Sequence, residues 1–230
     1  TNTSIVNTNT LQLTNPATNS TGSYEFANTL DLEHTYSLTL KKHIQTVSFY
    51  SGNDIDDRTA NIDTWRDFDG GTANDTNVQT LVRTTTGDPS GSPTYTSYNQ
   101  FANGTFRARA FQFKLILSSD DPAQNVTVQQ AGFKAIFEVR TETPSSPIAS
   151  GTSAKSVTFD NAFFTGTSSL GGSATAYLPS IGITIQNAQF NDHFAITNVS
   201  ATGFTIEIKN SNSFVNRNFT YQAVGYGKRV

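Results

Sequence analysis

The segment 106–117, with the sequence FRARAFQFKLIL, is the longest stretch of this chain with strand character. Successive side chains of a β-strand point to opposite faces. Strict alternation therefore puts Arg107 and Arg109 on the same face as the apolar run that follows them. That apolar run consists of Phe111, Phe113, Leu115 and Leu117. We predict a central core strand here, with the two arginines in salt bridges to an acidic loop or to another subunit rather than in contact with a ligand.

The rest of the chain predicts an all-β fold. Charged residues make up only 14% of the sequence, about half of the usual share of roughly a quarter. Thr, Ser, Asn and Gly take their place, and the hydroxyl and amide side chains compete with helical hydrogen bonds. Alternating apolar segments recur between turn signals at 36–40, 44–50, 77–84, 181–185, 204–208 and 219–225. We predict a jelly-roll-like β-sandwich followed by a second, smaller β-sandwich.

Composition shifts along the chain predict its domain boundaries. Residues 1–22 are rich in Asn and Thr and are expected to form a linker or the end of a preceding domain, with short strands at 4–6 and 11–13. The jelly-roll-like sandwich is expected at 23–141. Residues 142–154 contain two prolines and many small polar residues, which predicts a linker. The small C-terminal sandwich is expected at 155–230. No methionine occurs even at position 1, so we expect the chain to start within a longer polypeptide.

Charge and residue types argue against several function classes. The formal net charge is −3 and no basic stretch occurs, which disfavours binding to nucleic acid. No apolar run approaches the roughly 20 residues of a membrane span, so we predict no membrane insertion from this segment. The absence of cysteine excludes disulfides and thiolate metal sites.

An acidic loop at 51–76 contains the largest group of carboxylates. Calcium binding there is an alternative to a solvated loop, but the spacing fits no EF-hand. The glutamates are isolated from one another, the histidines are not at metal-ligand spacing, and no nucleophile elbow occurs. We therefore predict no catalytic residues, no metal site, no cofactor and no enzyme activity.

The residues most suited to binding are aromatic residues in polar surroundings. Sugar binding needs an aromatic platform flanked by polar groups. The single tryptophan, Trp65, fits this role or that of a core residue. Tyr95 and Tyr98 lie in a polar turn region and are expected to contact a glycan or a neighbouring subunit. Asp192 and His193 are adjacent at a predicted corner of the second sandwich and are candidate binding residues. The alternative is that His193 is a turn residue without a special function.

Two stretches resemble a known family. The first is carried by IDTWRDFDGG (62–71), LVRTTTGDPSGSPTYTSYNQF (81–101), FRARAFQFKLILSSDD (106–121) and NVTVQQAGFKA (125–135). Together they resemble the C-terminal region of bacteriophage tail-tip host-specificity proteins, also called central tail fibre proteins. The second stretch, 157–228, is similar to the terminal module of the same proteins, and more loosely to the H-type lectin sandwich. Its words are VTFDNAFF, LPSIGITIQNA, FAITNVSATGFTIEIKN and FTYQAVGYGK.

The resemblance implies a virion protein of the phage tail that is exposed outside the host cell. It implies a homotrimer, other phage tail-tip proteins as partners, and attachment to a host surface glycan or an outer-membrane receptor. It also implies a non-enzymatic role and a lectin-like C-terminal sandwich. Two alternatives stay open: a structural tail assembly module without receptor binding, and a carbohydrate-binding module of a secreted hydrolase.

Overall fold

The strands and turns of the chain confirm the all-β prediction. The computed structural model describes residues 1–7, 9–50, 61, 76–173 and 175–229. Helical structure within these ranges is limited to two short 3₁₀ turns, Pro89–Gly91 and Ser168–Leu170. All other regular elements are β-strands, and every pairing between them is antiparallel.

The first eight strands belong to one continuously hydrogen-bonded sheet. They are β1 Thr3–Val6, β2 Thr10–Leu13, β3 Thr21–Glu25, β4 Leu30–Tyr50, β5 Thr76–Thr85, β6 Asn99–Gln100, β7 Gly104–Ser119 and β8 Gln124–Ile136. The order across the sheet is β1-β2-β8-β4-β7-β5-β6, and β3 also pairs with β7. The short strands expected at 4–6 and 11–13 are present as β1 and β2, so residues 1–22 contribute strands to this sheet.

The long strand β4 folds the sheet into two layers. Its first part pairs with β7, and its second part, from Thr39 onward, pairs with β8. The segments 36–40 and 44–50, which alternation predicts as two strands, are one continuous strand. Apolar side chains from β2 and β8 then pack against those of β7 in a shared core cluster, made of Leu11, Leu13, Leu115, Leu117, Val126 and Val128. Burial of these side chains between the layers stabilises the sandwich, since each fully buried aliphatic side chain contributes about 1.5–3 kcal/mol.

The alternation in β7 changes phase, so one sequence prediction is wrong. Phe106 and Ala108 pack in the same core cluster as Phe111, whose ring centroid lies 6.0 Å from that of Phe106. Two successive residues, Ala110 and Phe111, are both fully buried. The shift lies opposite an irregular stretch of β4, where the register with β7 jumps between residues 31 and 36. Arg107 and Arg109 are therefore on the face opposite the apolar run.

Arg109 forms salt bridges as predicted, but the partners that the described residues supply are Asp31 and Asp88, which lie outside the acidic loop 51–76. Its Nε and Nη2 atoms donate to the two carboxylate oxygens of Asp31 at 3.0 and 3.2 Å. Nη2 also lies 3.0 Å from the Asp88 carboxylate. A guanidinium that binds a carboxylate through two nitrogens gains the attraction between opposite charges and two hydrogen bonds of fixed direction. Arg109 therefore ties β7 to β4 and to the loop that contains Asp88.

Strands β9 to β16 form a second sandwich of two four-stranded sheets. They are β9 Val139–Glu142, β10 Ile148–Ala149, β11 Lys155–Thr158, β12 Ser180–Gln186, β13 Asp192–Thr197, β14 Gly203–Asn210, β15 Ser213–Phe214 and β16 Asn218–Tyr226. The last strand, β17 Lys228–Arg229, pairs with β4 of the first sheet. In one sheet β16 pairs with β9, β10 and β12; in the other β14 pairs with β11, β13 and β15. Both sheets contribute to a single core, made of Val157, Phe159, Phe163, Phe204, Ile206, Ile208, Phe219, Tyr221 and Ala223.

The two sandwiches exchange strands. Strand β9 lies in the range predicted for the first sandwich and the beginning of the predicted linker, yet it pairs with β16. Strand β10, inside the predicted linker 142–154, pairs with β16 as well. Conversely, β17 leaves the second sandwich and pairs with Tyr36 and Ser37 of β4. The Tyr36 hydroxyl donates to the Phe163 carbonyl at 3.0 Å, which adds a buried hydrogen bond to this connection.

A buried ion pair holds the place where the chain crosses between the sandwiches. The Arg140 Nη1 atom lies 2.6 Å from the Glu142 carboxylate. The same guanidinium donates to the carbonyls of Gly227 at 2.9 Å and Asn161 at 2.5 Å, and it lies 3.7 Å from the Phe163 ring centroid. The other Glu142 oxygen accepts from the backbone nitrogen of residue 160 at 2.6 Å. Each polar atom of this pair therefore has a partner, as a buried charge requires.

Alkaline pH is expected to weaken the second sandwich through Tyr221. Burial, reinforced by the nearby carboxylates of Glu142 and Asp160, raises the pKa of Tyr221 to about 12, against an ordinary value of about 10. The folded state thus keeps the phenol proton where the unfolded chain has lost it. Stability from this residue is complete below pH 10 and is lost as pH rises toward 12, by about 2 kcal/mol in total. Urea unfolding between pH 8 and 11.5 measures this loss.

The variant Tyr221→Phe is the control for this pH dependence, because it keeps the ring and removes the titrating group. Comparison of the two proteins removes every contribution to the pH dependence that they share. We expect the variant to lose less stability than the wild type above pH 10. Parallel curves for the two proteins would contradict the assignment to Tyr221.

Candidate functional site

The two predicted binding tyrosines lie over the outer surface of the first sandwich. The loop that contains them is fixed to β5 by backbone hydrogen bonds, from Thr96 nitrogen to Thr84 oxygen at 2.9 Å and from Phe101 nitrogen to Thr80 oxygen at 2.7 Å. The Phe101 side chain is fully buried and anchors the end of the loop. Both tyrosines remain half-buried. The loop therefore holds them in fixed positions without removing them from solvent.

Arg83 of β5 brings the two tyrosines together. Its guanidinium carbon lies 5.1 Å from the Tyr95 ring centroid and 4.7 Å from that of Tyr98. Its Nε atom donates to Gln112 of β7 at 2.8 Å. No carboxylate of the described ranges forms an ion pair with Arg83. Among the described residues, the contacts of this positive charge are therefore with aromatic rings rather than with a carboxylate.

A second cation lies beside the same ring. The Lys114 Nζ atom is 5.4 Å from the Tyr98 centroid and 3.1 Å from the Glu25 carboxylate. Burial is the largest cause of the raised pKa of Tyr98. The Tyr95 hydroxyl oxygen is buried and has no hydrogen-bond partner among the described residues, which is uncommon for a native polar group.

We call this surface the Arg83 patch; it comprises Arg83, Tyr95, Tyr98, Gln112 and Lys114. A guanidinium fork matches the two oxygens of a carboxylate or phosphate. The Gln112 amide orients this guanidinium, because its oxygen accepts from Arg83 Nε while its nitrogen donates to Thr29 at 2.9 Å. The arrangement is suited to recognise an acidic group on a larger molecule.

Asp192 occupies a different sheet and has an internal role. Its carboxylate accepts from Arg217 Nε at 2.7 Å, Arg217 Nη2 at 3.2 Å, Asn210 Nδ2 at 2.8 Å and the Gln189 backbone nitrogen at 2.7 Å. Its side chain is only 2% exposed. The Arg217 guanidinium and the other donors hold the pKa of this carboxyl well below its usual range. Asp192 therefore fixes the corner between β12 and β13.

The other predicted residues do not join one site. His193 is exposed, and its Nδ1 atom is 3.4 Å from the Asn191 carbonyl. It belongs to β13, in a different sheet from β5 and β7. Binding roles for Asp192 and His193 stay predictions. Trp65 and most of the acidic loop 51–76 lie outside the described residues, and so does the question of calcium there.

Sequence reasoning missed a second aromatic surface, at Tyr177 and Tyr226. These side chains are 53% and 41% exposed, and their ring centroids lie 5.9 Å apart at an interplanar angle of 79°. A signal for Tyr226 was present in the alternation of β16. Phe219, Tyr221 and Ala223 point inward in this strand, and continuation of the same alternation makes Tyr226 point outward.

Comparisons with known proteins give no relative: no family model, no curated protein and no solved structure matches this chain. Over the described ranges, no group of three His, Cys, Asp or Glu side chains is placed to hold a metal ion. In the same ranges no helix has the length and apolar character that crossing a membrane requires.

Proposed function

We propose that this protein is a host-recognition component of a bacteriophage tail tip, which attaches the virion to a glycan or protein receptor on the host surface. Three observations support the proposal. Sequence segments within 62–135 and 157–228 resemble such proteins. The all-β sandwich architecture displays loops on a rigid scaffold, as binding proteins commonly do. The Arg83 patch supplies an ordered recognition surface on that scaffold.

The Arg83 patch is the observation that carries this proposal. An arginine without a carboxylate partner in the described ranges is held over two tyrosine rings at 4.7 and 5.1 Å. Structural arginines are normally paired, as Arg109, Arg140 and Arg217 are here. Envelope glycans of bacteria commonly carry carboxylate and phosphate groups. The patch suits contact with such an acidic group.

A homotrimer fits this function because each chain then presents one copy of the patch. Several weak contacts to the same cell surface act together, and the combined affinity exceeds that of one site by about 10²–10⁴-fold. Light scattering on the purified chain tests this assembly. A monomer at micromolar concentration would count against it.

The substitution Arg83→Gln tests the binding role. It removes the charge while keeping a hydrogen-bonding side chain, and we expect binding to host cells to fall at least about tenfold. Pull-down of labelled protein with host cells over a range of salt concentrations is the measurement. The salt dependence should also become shallower, because one ionic contact is lost.

Lys41→Gln is the matched control, since Lys41 is an exposed cation of the first sandwich that lies outside the patch. It removes the same unit of charge and is expected to leave binding unchanged. An equal loss in both variants would reduce the effect to overall charge. Virions with Arg83→Gln that fail to assemble, rather than fail to adsorb, would favour the structural tail assembly module instead.

A further inference from the structure

Exposed apolar side chains are concentrated at one corner of the second sandwich. This surface, which we call the Tyr226 corner, comprises Ile136, Val139, Tyr177, Leu178, Val224 and Tyr226, all of them at least 36% exposed. Val139 is directly opposite Tyr226 in the pairing of β9 with β16, and Val224 points to the same face two residues earlier. Single exposed apolar residues need no explanation, but a contiguous group marks an interaction surface.

A cavity of about 440 Å³ adjoins this corner. Tyr177 and Tyr226 form part of its wall, together with Ile136. Phe137 and Phe164 also line it, stacked with their centroids 3.8 Å apart and their planes 9° from parallel. The volume falls within the roughly 300–1,000 Å³ of small-ligand sites. The cavity therefore accommodates a ligand of one or two sugar rings.

The lining chemistry selects among ligands. Among the described residues that form the cavity wall, Lys134 is the single charged residue and none is a carboxylate. The exposed aromatic residues are both tyrosines, which combine an apolar ring with a hydroxyl at its end. A pyranose presents the same two characters, a face of C–H groups and a rim of hydroxyls.

We propose that the Tyr226 corner binds a neutral pyranose residue of a surface glycan, with the sugar ring packed on the exposed tyrosines. This inference rests on the proposed host-attachment function and adds a second subsite to it. The two surfaces bind different parts of the glycan: the Arg83 patch binds an acidic substituent, and the Tyr226 corner binds an uncharged sugar ring. A glycan that contains both kinds of unit is then bound better than either unit alone.

The test uses the full chain on an array of neutral and uronic-acid-containing oligosaccharides. Tyr177→Ala and Tyr226→Ala are each expected to lower binding to neutral oligosaccharides about tenfold or more, because each removes a stacking surface. Tyr226→Phe keeps the ring and is expected to lose less. Arg83→Gln should reduce binding to acidic oligosaccharides by a larger factor than binding to neutral ones. Thermal melts confirm that each variant is folded.

The possible failures are distinguishable. Neutral binding that is unchanged in both alanine variants would overturn the Tyr226 corner as a sugar site and leave host attachment standing. A change in oligomeric state with unchanged sugar binding would identify the corner as a protein interface and also overturn it. A wild-type chain that binds neither host cells nor any oligosaccharide would overturn the proposed function together with this inference.

Discussion

Replacement of Gly227 by alanine is expected to lower the free energy of unfolding by about 2–5 kcal/mol. Gly227 has a φ of +88°, a conformation that costs an L-residue roughly 1–2 kcal/mol. An added Cβ would also lie 2.8 Å from the Phe164 Cβ and 3.0 Å from the Tyr36 ring. Overpacking of that kind costs about 1–3 kcal/mol more. Urea or thermal unfolding of the purified variant measures the change.

Gly151→Ala separates the two causes. Gly151 has a φ of +69°, and an added Cβ there would meet no atom within 4 Å. Its replacement therefore adds backbone strain alone, and we expect a loss of about 1 kcal/mol. Equal losses at the two positions would mean that the contacts of Gly227 with Phe164 and Tyr36 contribute nothing.

Replacement of Glu142 by glutamine is expected to cost about 3–5 kcal/mol. The Glu142 side chain is 8% exposed and lies 2.6 Å from Arg140. Removal of one charge from a buried pair leaves the other without compensation, and this penalty exceeds the benefit of the pair itself. Glutamine preserves the shape, so the measured loss reports the charge. The change in the midpoint of urea unfolding is the measurement.

Glu207→Gln is the matched control for Glu142→Gln. Glu207 lies 2.6 Å from Lys209, the same separation as in the buried pair, but these side chains are 31% and 29% exposed. Solvent screens such a pair, and its loss is expected to change stability by about 1 kcal/mol or less. A large loss at Glu207, or a small one at Glu142, would contradict burial as the deciding factor.

Hydrophobic alternation within a segment was enough to predict where the strands lie, but not how they pair with one another. Alternation placed β5 and β14 well, because each has one face in a core and one toward solvent. It failed at Arg107 and Arg109, because the phase of β7 changes where β4 is irregular. A change of phase depends on the partner strand, and the segment itself has no glycine or proline to signal it.

In the candidate sites as well, residues close together in the sequence could be predicted, whereas residues that only the fold brings together could not. Tyr95 and Tyr98 are three residues apart, and their polar surroundings indicated surface contact. Arg83 lies on another strand, and nothing near it in the sequence connects it to those rings. Tyr177 and Tyr226 are 49 positions apart and meet only through the fold. Asp192 was predicted as a binding residue from its polar neighbours in the sequence. Its carboxylate instead accepts a hydrogen bond from Arg217, which is distant in the sequence.

The exchange of strands between the sandwiches has a consequence for recombination between related proteins. A crossover placed at 142–154 would separate β9 from the residues that follow it, although β9 pairs with β16. It would also import a β17 that has to match the Tyr36 edge of β4 in the recipient. A functional chimera therefore needs its junction before Val139 and a compatible recipient surface at Tyr36. The segment that can be exchanged as a whole is therefore larger than the predicted C-terminal sandwich. Its boundaries are set by the backbone hydrogen bonds of β9 and β17 rather than by the proline-containing segment 142–154.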